Sequence, residues 1–202
     1  DRSVSRGLGD VYKRQILMLI CAMMTAISIV REKERGTMEV LLVSPMRPIY
    51  IILAKAVPYL ALSAVNLATI ILVAVYILQV PVAGSLFWLS VISLLFVITA
   101  LALGLLISTL VKTQVAAMLA SGMVLMMPTT LLSGMMFPIE SMPGVLQGLS
   151  AVIPARWYIE AVKKVMIEGL GITYALKEVA ILSAMAVVLV VVSLKKFKYR
   201  LE

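Results

Sequence analysis

Histidine is absent from this 202-residue sequence, aspartate occurs only as Asp1 and Asp10, and the single cysteine is Cys21. Without imidazole there is no histidine base and no histidine metal ligand, which removes metalloprotease chemistry. A lone cysteine inside an apolar run forms no intramolecular disulfide and signals no thiol site. Charge is missing from the centres of the long apolar runs, where proton- or ion-coupled carriers usually keep an ionisable coupling group. The embedded catalytic pair of an intramembrane protease is missing as well. No loop of the G-x-x-x-x-G-K-[ST] type is present, so the chain does not hydrolyse ATP alone. A transport protein built this way is either a passive pore or is driven from outside the membrane.

Apolar residues are in excess, at 62% of the chain with a mean hydropathy of +1.09. Soluble domains hold about 45–50%. A soluble core cannot absorb that excess at this length, so the fold class is all-α, a polytopic helical membrane protein. The net charge of +8, from 18 basic and 10 acidic residues, reads as positive-inside bias and not as a nucleic-acid footprint.

Five apolar runs are legible: Ile16–Val30, Ile49–Leu78, Leu86–Val111, Val115–Phe137 and about Val179–Leu194, the last extended upstream by Tyr174 to Glu178. The first is short for a span of about 20 residues. Residues 1–15 differ in character. Both aspartates lie there, and SVSRGLGDVYKRQ resembles a translated sequencing-adapter artefact. The expectation is a non-native leader over 1–15, with the first run shortened behind it.

Loop charge orients the runs. With Arg31–Pro48 inside, ten cations fall on that side: Arg31, Lys33, Arg35, Arg47, Lys55, Lys112, Lys195, Lys196, Lys198 and Arg200. Only Arg156, Lys163, Lys164 and Lys177 fall outside. The expectation is therefore that residues 31–48, Lys112 and the C-terminus are cytoplasmic. Lys55 lies two turns into its helix and can snorkel back to the interface.

Within the runs the pattern favours packing. Ala100, Gly104 and Ser108 repeat at four-residue spacing and let helix backbones approach. The alternative is a dimer or substrate-cavity face, but most helices here must pack against one another. Asn66 is the one amide at mid-membrane depth and reads as an interhelical hydrogen bond or, less simply, a ligand contact. Pro58 and Pro128 each remove a backbone bond and should kink their helices.

Two segments stand apart. Pro138 to Tyr174 is too long and too apolar for a plain loop. Met142, Val145, Leu146 and Leu149 fall at helical spacing, with no charge from Ser141 to Pro154, so this piece is expected to dip into the outer leaflet. Pro154 sits where a helix can begin and Gly169 where it can end. Between them Glu160 is expected to pair with Lys164, opposite a face of Tyr158, Val162 and Val165. That helix either rests on the outer interface or forms a lid over an exit path; the two are compatible.

The other segment is Arg31 to Pro48, REKERGTMEVLLVSPMRP. Arg31, Glu32, Lys33, Glu34 and Arg35 alternate in sign and can carry the preceding helix into water. Thr37 is a plausible N-cap, Glu39 lies in the first turn, and Met38, Leu41 and Leu42 make one apolar face. Pro45 stops this helix, and Pro48 suits the first turn of the next. A stop-transfer cluster plus interfacial helix would explain the segment from topology alone, except that topology needs no alternation of acid and base.

REKERGTMEVLLVSP ahead of a long span, and PARWYIEAVK after the fourth run, resemble the permease subunit of the ABC-2 type exporters. The resemblance covers nearly everything from Ile16 to Leu201 in order and spacing. It implies a permease domain over 16–202 holding spans two to six of a six-span protein, hence five transmembrane helices here. It also implies an ABC ATPase subunit that binds ATP and magnesium, no cofactor in this chain, and pairing with a second permease copy as a homodimer or heterodimer in a bacterial or archaeal plasma membrane. The coupling helix maps onto Arg31–Ser44. Re-entrant and external helices forming an outer gate map onto Pro138–Gly169, with Pro138, Met142, Leu146, Pro154, Trp157, Tyr158 and Glu160. The cargo would be hydrophobic or amphipathic. The first span, and the external domain that some members carry, are not visible. The competing class is a passive channel, or a membrane-anchored assembly factor, with no motor.

Overall fold

The computed structural model describes residues 23–31, 34–36, 48–72, 85–133, 137–169 and 171–199, with Gly9, Ile16, Ile20 and Tyr76. At positions 48, 49, 51, 52, 55, 66, 67, 70, 71, 166, 167 and 197–199 it describes the backbone alone. The leader expected over 1–15, apart from Gly9, and the amphipathic unit expected over Thr37 to Ser44 lie outside the described residues.

Every regular element among the described residues is helical. Helix α1 covers residues 23–31, and Glu34 is still helical. The amide of Arg35 donates to the Arg31 carbonyl at 3.1 Å. The charged string thus carries the helix one turn past the apolar run. Gly36, at φ +72°, ends it in the left-handed conformation that only glycine adopts without cost.

Helix α2 runs Pro48–Leu72 and continues through Pro58. Helix α3 runs Leu86–Leu110. The fourth run is interrupted: α4 (Gln114–Ser121) leads through a π-helical turn, Gly122–Met126, into α5 (Met127–Leu132). Pro128 supplies the reason. It has no N–H for the preceding turn, and a widened turn absorbs the mismatch. Threonine side chains add bonds beside the proline: Thr129 donates to the carbonyls of Leu125 and Met126, and Thr130 to that of Met126 at 2.9 Å.

A 3-10 turn at Ile139–Ser141 precedes two short helices, α6 (Gly144–Ala151) and α7 (Pro154–Val162). A second π-helical turn, Lys163–Ile167, ends before Gly169 at φ +64°. After a 3-10 turn at Ile172–Ala175, α8 runs Leu176–Tyr199. Among the described residues three helices are long and apolar enough to cross a membrane: Leu86–Leu110, Gln114–Leu132 and Ile172–Lys196. Helix α2, at 25 residues, is about 37 Å long.

Helix α3 is the hub. Leu89, Ile92, Phe96, Val97 and Leu101 on one side of it meet Ala155, Tyr158, Ile159 and Val162 of α7, together with Leu182 of α8. Nearer its other end, Ala100 and Ile107 pack on Ala26 of α1 and Leu125 of the π turn. In lipid such contacts are held by close packing and not by exclusion of water, so small residues matter. Two buried hydroxyls on α3 bond within the helix: Thr99 donates to the Leu95 carbonyl at 2.8 Å and Ser108 to that of Leu105 at 2.6 Å. Ser193 of α8 donates across to the Ala102 carbonyl at 3.2 Å and fixes α8 on α3.

Candidate functional site: the two ends of the bundle

At the end where α1 stops and α4 begins, one carboxylate joins segments 80 residues apart. Oε2 of Glu34 accepts from the Gln114 backbone amide at 3.2 Å and from Gln114 Nε2 at 2.8 Å. Gln114 is the first residue of α4, and the preceding Thr113 caps that helix by accepting from the Ala116 amide at 3.2 Å. Glu34 therefore supplies a second capping acceptor, and its charge faces the positive end of the α4 dipole. The Gln114 side-chain amide, its backbone N–H and, less strongly, Arg35 hold the Glu34 carboxyl below its ordinary range.

At the opposite end, α6 and α7 form a corner closed by the string Pro154 to Glu160. Pro154 occupies the first turn of α7, where its missing N–H costs nothing. Arg156 crosses back to the C-terminus of α6. Its Nη1 donates to Ser150 Oγ at 2.7 Å and to the Gln147 carbonyl at 3.2 Å, while Nε donates to Glu160 Oε1 at 3.0 Å. Trp157 Nε1 donates to the Ala151 carbonyl at 2.9 Å, and the Arg156 guanidinium lies 5.1 Å from the Trp157 ring centroid. The amides of Val152 and Ile153 take the carbonyls of Leu149 and Ser150. The carbonyls of Leu149, Ser150 and Ala151, the last three of α6, are thereby accounted for.

Tyr158 anchors this corner in the bundle. It is fully buried, its ring stacks on Phe96 at 4.4 Å and 12°, and its hydroxyl lies 3.1 Å from Ser93 Oγ. Beside the corner, Met123, Met127 and Leu131 of the fourth run face Phe137, Met142 and Leu146 across an apolar groove of about 580 Å³.

One expected pair is corrected. Glu160 pairs with Arg156, not with Lys164. The π winding that begins at Lys163 rotates Lys164 out of the α-helical i+4 register. Lys164 Nζ instead donates to Glu178 Oε1 at 2.8 Å and to the Tyr174 carbonyl at 3.3 Å, tying the turn to the start of α8.

The named residues divide by place. Of the coupling set, Arg31, Glu34 and Arg35 are exposed at the end of α1, whereas Glu32, Thr37, Met38, Glu39, Leu41 and Leu42 lie outside the described residues. Met142 and Leu146 line the groove, and Pro138 accepts from the Ser141 amide at its rim. Pro154, Trp157, Tyr158 and Glu160 gather at the α6–α7 corner. Ala100, Gly104 and Ser108 are all buried along α3. The side chain of Asn66 lies outside the described ones. Ser93, Gln114, Gln147 and Ser150 are additions with no signal in local spacing, since each is defined by a partner from another element. Among the described residues no cluster of histidine, cysteine, aspartate or glutamate could hold a metal ion.

Residues 15–167 match the family described as ABC-2 type transporter. Over 187 residues the chain is 36% identical to "Probable multidrug ABC transporter permease YbhS" of Escherichia coli K12, covering 93% of this chain and 50% of that protein. It is 35% identical over 144 residues to "Probable multidrug ABC transporter permease YbhR" of the same strain, covering 71% and 39%. "ABC transporter G family member 20" of Dictyostelium discoideum is 30% identical over 152 residues, covering 74% and 20%. The chain spans about half the length of the first of these relatives, or less of the others. No solved structure matches it.

Proposed function

We propose a role for this chain from one premise: it belongs to the ABC-2 type transporter family, and it is a multi-pass membrane protein. The role is that of the membrane-spanning subunit of an ATP-driven exporter, energised by a separate ABC ATPase subunit that binds ATP and magnesium, and paired with a second permease copy. The observation that carries this reading is the Glu34–Gln114 contact. It links the charged segment that the family resemblance assigns to ATPase docking with the head of a span whose apolar face is largely uncovered. A push on residues 37–44 from the closing ATPase pair would reach α4 through the Glu34–Gln114 contact. The π turn at Gly122–Met126 is then the compliant point before α5 and the external helices.

The cargo class is hydrophobic or amphipathic. A groove lined by methionine, leucine and phenylalanine at α5 and α6 suits such molecules, and two relatives carry the word multidrug in their names. The α6–α7 corner, braced by Arg156 and anchored by Tyr158, is the outer gate on this reading. Loop charge supports a cytoplasmic position for 31–48, Lys112 and the C-terminus of a bacterial or archaeal plasma-membrane protein.

Charge reversal tests the docking assignment. Arg35→Glu combined with Glu39→Lys should abolish both co-purification of the ATPase and export of a hydrophobic dye from cells. Retention of both would show that the segment serves topology alone.

A further inference from the structure

A second apolar cavity, of about 250 Å³, lies between α2, α3 and α8 and shares no residue with the groove beside α6. Leu53, Val57, Leu101, Leu105, Val190 and Leu194 are among its lining, and every lining residue is apolar. Ala56 and Ala102 make the slot by being small. Its position along the bundle is defined. Leu53 lies five residues after the start of α2 at Pro48, Leu105 five before the end of α3 at Leu110, and Leu194 five before the end of α8 at Tyr199. Its nearer end is therefore about 7 Å along the axis from the same end of all three helices.

At that end Leu194, which lines the cavity, is followed by Lys195 and Lys196, both exposed. The sequence places Lys198 and Arg200 beyond them, four cations in six residues. An apolar slot offers nothing to a polar ligand, and a partner helix seated here would have to desolvate adjacent lysines. A molecule with an apolar tail and an anionic head meets both halves of the site. Taking about 30 Å³ for a group the size of water, the slot holds on the order of eight methylenes.

We propose that this cavity is a binding site for an anionic phospholipid, with one acyl chain between α2, α3 and α8 and the headgroup phosphate on Lys195 and Lys196. The site is separate from the cargo groove and needs neither the motor nor the transport reading, only the membrane one. Basic clusters immediately beside a membrane helix attract anionic lipid by roughly 1 kcal/mol per lysine, a preference of about fivefold each. The slot adds shape to that attraction.

The complete gene product, in nanodiscs of phosphatidylcholine, would be titrated with spin-labelled phosphatidylglycerol and, separately, with spin-labelled phosphatidylcholine. The motionally restricted fraction is then read by electron paramagnetic resonance. Restriction should favour phosphatidylglycerol at least about fivefold at low salt, and Lys195→Gln with Lys196→Gln should bring the ratio close to one. Filling the slot with Ala56→Phe, or with Val57→Trp at a half-exposed position, should remove the restricted phosphatidylglycerol while both lysines remain. Equal restriction of the two labels in the unmodified protein would overturn the inference. So would unchanged phosphatidylglycerol restriction in both slot-filling variants, since the lysines would then be acting without the cavity. Cross-linking of a second copy through Val57→Cys or Leu194→Cys would overturn it too, by making the slot an interface.

Discussion

Glu34 shows what one side chain contributes when it spans elements. Its carboxylate is exposed, so its bonds to Gln114 compete with water and their net contribution to stability is small. The pH dependence has a definite sign. A carboxyl held below its ordinary pKa of about 4.5 contributes stability that is fully present above that value and lost as pH falls through the lower folded value. Glu34→Gln should therefore melt below the unmodified protein at neutral pH, with the gap closing once pH falls below about 4.5. Thermal unfolding followed across pH 3 to 7 would check it, and a gap that persists at the acid end would remove the contact as its cause. The alternation of charge in Arg31 to Arg35 was legible in the sequence as a string that can carry the helix past the apolar run, which it does. Gln114 was not, because nothing local selects one glutamine from 80 residues away. Gly36 ends the helix at positive φ, a stop that a glycine after a charged string signals only weakly in sequence.

At the scale of elements, hydropathy located α3 almost to the residue and α2 at its first turn, since a run flanked by proline or by charge has physical ends. Winding was harder to foresee. Pro128 predicted a defect, and the fold answers it with a π turn before the proline and threonine bonds after it. The same widening at Lys163 defeats the expected Glu160–Lys164 pair, because i+4 spacing presupposes α-helical winding. The corner of α6 and α7 depends on Arg156, whose guanidinium is mostly shielded from solvent. Arg156→Ala would remove the donor to Ser150 Oγ and the partner of Glu160, and would leave the Gln147 carbonyl with Ser150 Oγ, at 2.8 Å, in place of two side-chain donors. The expected loss is about 1–3 kcal/mol, or roughly 2–10 °C in melting temperature for a chain of this size. Arg156→Lys, a point charge in place of a fork, should recover less than half of that. The Trp157 fluorescence melt reads both variants, and equal stability of Arg156→Ala with the unmodified protein would mean that the corner is held by Trp157 and Tyr158 alone.

For the whole molecule, the decisive quantity is apolar surface that its own bundle leaves uncovered. Val115, Leu119, Met123, Met127 and Leu131 are exposed at four-residue intervals along the fourth run, and three of them also line the larger groove. Lipid would cover this stripe as well as protein would, so hydropathy alone does not distinguish a lipid face from a pairing face. That is why the second copy entered from family resemblance and not from residues. Geometry allows a direct test, because a disulfide forms only when Cα atoms come within about 4.4–6.8 Å. In a protein carrying Cys21→Ser, Met123→Cys or Met127→Cys should oxidise to a cross-linked pair in native membranes. Val65→Cys, equally apolar and exposed on α2, should not. Cross-linking at Val65 with none at Met123 or Met127 would move the pairing face to α2. The groove beside α6 would then be open to lipid, and the route of a cargo between two copies would have to be sought on the other side of the bundle.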